Sequence, residues 1–133
     1  MAKLVVSGKR KTAIAKAAID NGEGNVFINS RPLSLFDELR QLEIKEPLVI
    51  AQDVLGKLDF DIYVKVSGGG QSSQIEASRL AIARAIVKFK ESKELKDAYT
   101  NYDRHLLVAD TRRKETYKPG ISKARAKRQT SYR

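Results

Sequence analysis

Residues 60–66, Phe-Asp-Ile-Tyr-Val-Lys-Val, alternate strictly. In an extended chain this puts Phe60, Ile62, Val64 and Val66 on one side and Asp61, Tyr63 and Lys65 on the other. A strand with one dry side and one wet side calls for a covering layer on the dry side. The sequence supplies it directly downstream. After Gly68-Gly69-Gly70, residues 74–90 place Leu80, Ala83 and Val87 on one helical face, and Ile82, Ile86 and Phe89 widen the apolar stripe. A strand, a tight glycine connection and a long amphipathic helix form the centre of a domain.

The flanking segments extend the same plan. Residues 4–6 are apolar, and residues 13–19 read as a strand of small side chains. Asn21-Gly22, with Gly24 behind it, is a turn signal into Val26–Ile28, which predicts a β-hairpin between those two strands. Pro32 introduces a short helix over residues 33–39, with Leu35, Phe36 and Leu39 on one face. Pro47 suits the first turn of a second helix over 47–55, stopped at Gly56. Ser92 caps a further helix running to about Tyr99, and residues 105–109 read as a last short strand. The fold class expected is α+β: a two-layer sandwich in which a small mixed β-sheet is packed with helices. An extended basic C-terminal tail follows it.

That tail is set apart by charge. Residues 111–133 hold nine Lys or Arg against one acid, Glu115, which is +8 of the chain's formal +10. Residues 1–110 are close to neutral, so the expected organisation is a globular body over 1–110 and an extended arm over 111–133. The arm has no apolar periodicity and contains Pro119-Gly120. It cannot bury enough surface to offset its ordering entropy, and is expected to order on a partner. A near-neutral body carrying a cationic arm suits a polyanion, and nucleic acid before a membrane, because the arm lacks the leucine and aromatic face of an interfacial helix. Tyr117 and Tyr132 stand among the guanidinium groups as stacking faces, which favours RNA.

Other chemistries fare poorly. The chain has no cysteine and a single histidine, His105, so neither a thiol–imidazole pair nor a multi-histidine metal site can be assembled. Asp59 and Asp61, near Lys65, read as a solvated strand face rather than an acid–base couple. Gly8-Lys9 lacks the glycine and the Ser or Thr of a phosphate loop. Gly68-Gly69-Gly70 is open to two readings, a tight strand-to-helix connection or a backbone approach to an anion. Lys9-Arg10-Lys11 is by itself a short solvated turn, and gains weight only from sharing a chain with the tail. No apolar run is long enough to span a membrane, and residues 1–7 turn polar too soon for a signal peptide. No enzyme activity, cofactor or metal is expected.

Several blocks taken together resemble a known family. Gly68-Gly69-Gly70, Ser73-Gln74, Ala77, Ala81 and Ala83-Arg84-Ala85-Ile86 are similar in order and spacing to the signature of ribosomal protein nine of the small subunit. Val6-Ser7-Gly8-Lys9-Arg10-Lys11-Thr12-Ala13 resembles its amino-terminal segment. Asp110-Thr111-Arg112-Arg113-Lys114-Glu115 resembles its Asp-x-Arg-x-x-Glu junction. Lys123-Ala124-Arg125, Gln129 and Ser131-Tyr132-Arg133 resemble its tail, and the opening and ending are similar to archaeal or eukaryotic members.

The resemblance implies a compact body in the head of the small subunit, on ribosomal RNA and beside neighbouring head proteins, in cytoplasmic ribosomes. It implies that the tail reaches the peptidyl-tRNA site, where Arg133 meets phosphates of the tRNA anticodon stem-loop with Tyr132 beside it. By the same carry-over Lys9, Arg10, Lys11, Gly68, Gly69 and Gly70 face ribosomal RNA. So do Arg112, Arg113, Lys114, Lys118, Lys123, Arg125, Lys127 and Arg128 along the arm. The competing class is a general nucleic-acid binder with a basic tail, such as a chromatin or RNA-chaperone protein, which would give Arg133 no fixed place.

Overall fold

The computed structural model describes residues 4–120, 123–127 and 131–132. Five strands, β1 (Leu4–Arg10), β2 (Ala13–Asn21), β3 (Val26–Ile28), β4 (Arg31–Pro32) and β5 (Phe60–Ser67), form one sheet in the order β1-β2-β5-β3-β4. The helices are α1 (Glu38–Leu55), α2 (Gln71–Lys90) and α3 (Lys93–Tyr102), with single 3-10 turns at Leu33–Leu35 and Arg104–Leu106. The sheet is mixed: β3 runs parallel to β5, and every other pairing is antiparallel. The α+β two-layer expectation holds.

The core lies between the sheet and α2. Alternate residues of β5 (Phe60, Ile62, Val64, Val66) and of β2 (Ala13, Ala15, Ala17, Ile19) are buried beneath it. The alanines of β2 keep the sheet surface low, so α2 lies close. Closest of all is the crossing at Gly8 of β1, where an added Cβ would stand 2.4 Å from the Ala77 carbonyl oxygen and 2.7 Å from the Ala81 nitrogen. Among the described residues no helix covers the opposite face of the sheet, where Val5, Ile14 and Tyr63 are exposed.

Three local expectations are corrected. The hairpin expected between residues 13–19 and Val26–Ile28 does not form. β2 instead turns back on β1 through Lys11-Thr12, with Arg10 opposite Ala13, and β3 crosses to the far side of β5. The cause is Asp61 of β5, whose carboxylate accepts the backbone N–H groups of Glu23 (3.0 Å), Gly24 (3.1 Å) and Asn25 (2.8 Å). The loop closes around that carboxylate, and β3 is delivered beyond β5. A Cβ on Gly22 would fall 2.2 Å from Asp61 Cγ and would displace the carboxylate from those bonds.

The two short helices expected at 33–39 and 47–55 are replaced by a 3-10 turn and one 18-residue helix, α1, that runs through Pro47. A proline in a helix interior removes one backbone hydrogen bond and crowds the preceding turn. Here its ring is fully buried and its carbonyl accepts a 2.6 Å bond from the Tyr99 hydroxyl of α3, so tertiary contacts offset the local cost. Gly56 ends α1 at φ 77°, as expected. The strand expected at 105–109 is instead the 3-10 turn continued by a turn at Leu107 and a bend at Val108, because Asp103 accepts the His105 N–H and turns the backbone there.

The remaining elements follow local rules. α2 starts at Gln71, three residues earlier than periodicity suggested. Ser92 caps α3 by accepting the Leu95 N–H. Asn29 (φ 48°) and Ser30 (φ 64°) make a two-residue turn between β3 and β4, both left-handed as such hairpins require. The Asn29 side chain continues the ladder, donating to the Val66 carbonyl (3.1 Å) and accepting from the Val66 N–H (2.9 Å).

Candidate nucleic-acid interface

The three cations of Lys9-Arg10-Lys11 do not form one patch. Strand alternation sends Val6 and Gly8 into the core, so Arg10 points to the helix side and Lys9 to the uncovered side of the sheet. Lys11 sits in the turn at φ 52°. Arg10 is largely covered and already engaged: its guanidinium pairs with Glu76 of α2 and lies 2.8 Å from the Asp110 carboxylate. Asp110 in turn holds Arg112, with Nε at 2.9 Å, Nη2 at 2.7 Å and the Arg112 backbone N–H at 2.9 Å. These bonds from Arg112, with the Arg10 charge behind them, hold the Asp110 carboxyl well below the usual carboxylate range. The first residues of the arm are thus fastened to the turn between β1 and β2.

The glycine triplet lies at the same end. A Cβ on Gly68 (φ 77°) would stand 2.6 Å from the Thr12 carbonyl oxygen, and one on Gly69 (φ 66°) 3.0 Å from the Ala13 Cβ. Both glycines are required by the close approach of the turn after β5 to the turn between β1 and β2. Gly70 meets nothing within 4 Å and stands at the open N-terminus of α2. Of the two readings of the triplet, tight packing accounts for Gly68 and Gly69, and an anion approach is sterically open only at Gly70.

Other residues of the signature also fasten the body. Gln74 donates to the Gly68 carbonyl (3.1 Å). Ala77 and Ala81 are the small residues that Gly8 faces. Arg84 donates to the carbonyls of Leu107 (2.8 Å) and Ser7 (3.0 Å), tying the chain after α3 to β1. The signature therefore specifies how β1, α2 and the segment leading into the arm lock together.

Beyond Asp110 the chain is exposed and carries no helix or strand through residue 120. Arg113 donates to the Arg112 carbonyl, and the Lys114 ammonium lies 4.7 Å from the centre of the Tyr117 ring. Glu115 accepts from Lys118 (3.4 Å) and from Arg125 Nε (2.9 Å), which folds the arm back across Pro119-Gly120. Lys123 and Lys127 are exposed, and Tyr132 is 93% exposed. Arg128 and Arg133 lie outside the described residues.

This arrangement offers charge and stacking surface rather than reactive groups. Asp59 pairs with Lys57 at 3.1 Å and Asp61 is committed to the loop before β3, so the acid pair is structural. Among the described residues no cluster of His, Asp or Glu could hold a metal ion, and no helix is long and apolar enough to cross a membrane.

A profile of the family described as ribosomal protein S9/S16 matches residues 8–133. The chain belongs to that family. It is 47% identical to the small ribosomal subunit protein uS9 of Pyrobaculum aerophilum, across 98% of this chain and 92% of the relative. It is 45% identical to the protein of the same name from Methanococcus vannielii, across 95% of each. The S9/S16 family comprises ribosomal structural proteins, not enzymes, and of the archaeal and eukaryotic members that the opening and ending resemble, these relatives are archaeal.

Sequence reasoning missed Glu76 and the network it completes. Glu76 reads as an ordinary exposed helix residue, and only the register of α2 against β1 brings it to Arg10. It also missed Lys16, which the structure sets directly opposite Lys65.

Proposed function

We propose that the protein is a structural constituent of the small ribosomal subunit whose body, residues 1–110, binds ribosomal RNA in the subunit head and contacts neighbouring proteins there. Its arm, residues 111–133, extends to the peptidyl-tRNA site. There Tyr132 and Arg133 meet the anticodon stem-loop, while Arg112, Arg113, Lys114, Lys118, Lys123, Arg125, Lys127 and Arg128 line the RNA path. Its relatives are small ribosomal subunit proteins, which supports the assembly.

The observation that carries the arm's role is the Asp110 node. Asp110 is gripped by Arg10 from the body and by Arg112 from the arm, so an exposed cationic segment leaves a fixed point beside the turn between β1 and β2 and the open Gly70. A cationic arm aimed by a rigid base threads between RNA helices where a folded domain would not fit, neutralising phosphate repulsion as it goes.

The test is photo-crosslinking in native lysate from a probe at position 132, with sequencing of the attached RNA. Crosslinks to tRNA anticodon stems, in particles sedimenting as small subunits, are expected. Crosslinks scattered over unrelated RNA or DNA would replace this reading with a general nucleic-acid binder.

A further inference from the structure

Lys16 of β2 and Lys65 of β5 are Cα partners in register, side by side on the uncovered face of the sheet. Directly opposed residues hold their Cβ atoms about 5 Å apart, and like charges in that relation are destabilising. Among the described residues no carboxylate pairs with either ammonium. Lys9, placed on the same face by the alternation of β1, stands one row away opposite Ile14.

The other end of this face is arranged differently. Asp20 and Asp61 are likewise opposed, but Asp61 is satisfied by three backbone N–H groups, and Asp20 accepts from the Asn21 N–H. The acids are therefore hydrogen-bonded within the fold, whereas among the described residues no carboxylate meets the lysine pair. Between them, Phe27 and Tyr63 stack with ring centres 5.4 Å apart and planes 7° from parallel, and the Tyr63 side chain remains exposed.

An open groove of about 510 Å³ runs beside the lysines, bordered by Ile14, Asn29, Ser30 and Ser67. It joins an apolar side chain to hydroxyl and amide groups. A nucleotide has matching parts: a phosphate that two ammonium groups can share, ribose hydroxyls for the serines and asparagine, and a base for Ile14. Two ammonium groups held side by side are best relieved by a single anion between them. We propose that this uncovered sheet face is a second RNA-contact surface, independent of the arm, with a backbone phosphate of an RNA strand seated between Lys16 and Lys65. The inference rests on the ribosomal reading above and assigns a face of the body to RNA.

The test compares full-length variants binding deproteinised small-subunit ribosomal RNA, with log K followed against log salt concentration. The double variant Lys16→Gln/Lys65→Gln should flatten the slope by about 0.7–0.9, the contribution of the one phosphate the pair holds. An equal-charge control, Lys93→Gln/Lys96→Gln on α3, should change it much less. Without RNA, Lys16→Gln/Lys65→Gln should melt no lower than the parent, because an opposed like-charge pair is removed. A triple variant in the arm, Lys123→Gln/Arg125→Gln/Lys127→Gln, reports separately on the arm. A slope unchanged in Lys16→Gln/Lys65→Gln but flattened in the arm triple would overturn this inference and leave the proposed function standing. Equal losses in Lys16→Gln/Lys65→Gln and the α3 control would overturn it as an effect of net charge. A photo-crosslinker at position 14 that captured only protein in assembled subunits would overturn it in favour of a protein neighbour.

Discussion

Gly8 lies so near the backbone of α2 that a Cβ on it would stand 2.4 Å from the Ala77 carbonyl oxygen. Within a Gly-Lys-Arg-Lys run this glycine invites an RNA-binding interpretation, yet its environment is entirely protein. Gly8→Ala should therefore lower stability by about 3 kcal/mol, the upper end of overpacking costs, because the obstacle is backbone and cannot rotate away. Urea denaturation measures it, and a loss below about 0.5 kcal/mol would mean that α2 is not held this close.

Tyr99 is buried and donates its hydroxyl to the Pro47 carbonyl at 2.6 Å. Burial pushes the phenol above its ordinary pKa, so it stays a donor. Tyr99→Phe keeps the ring and removes one buried hydrogen bond, while the Pro47 carbonyl keeps its helical partner within α1, so the cost should be about 0.5–1.5 kcal/mol by urea denaturation. A neutral result would show that the bond adds nothing net to stability.

Asp110 gives a pH signature. Its carboxyl is lowered from an ordinary 3.8 by hydrogen bonds from the Arg112 side chain and backbone and by the Arg10 charge. A depressed acid stabilises the fold above its unfolded pKa, and that contribution fades as pH falls toward the folded value. The melting-temperature gap between the parent and Asp110→Asn should be constant from pH 7 to about 5. It should shrink steadily below pH 4 and vanish in strong acid. A gap that grew on acidification would reverse the assignment.

Removing residues 118–133 keeps the Asp110 node and should leave the melting temperature unchanged. If the whole arm covers about six phosphates, it should contribute about −4 to −5 to the parent slope of log K against log salt, and the truncation should be much flatter. An unchanged slope would mean that the body carries the electrostatic binding.

Glu115 is the arm's single acid and occupies two of its cations, Lys118 and Arg125. Glu115→Gln should tighten RNA binding at low salt by no more than about fivefold, since exposed pairs are worth at most about 1 kcal/mol. Weaker binding would indicate that Glu115 shapes the arm rather than competing with phosphate.

What could be read from the sequence was local. The alternation of β5, the stripe of α2, the Ser92 cap and the Gly56 stop are all short-range patterns, and each appears in the structure. The misreadings were decided over long distances. Pro47 stays inside α1 because of Tyr99, 52 residues away, and β3 misses β2 because Asp61 captures the intervening loop. The interface divides in the same way. The arm's charge is plain in the composition, but the diversion of Arg10 to Glu76 and Asp110, and the facing of Lys16 with Lys65, exist only once strands and helix are in register.

The strand order also governs the timing of folding. β5 sits at the middle of the sheet, between β2 and β3, yet it is made after both, with all of α1 in between. From the completion of β2 until β5 emerges, roughly 40 residues later, the nascent chain has its first hairpin but nothing to lay beside it. At about 5–20 residues per second that is a few seconds of exposed strand edge. A cell making this protein in bulk has reason to shield the young chain until residue 67 has appeared.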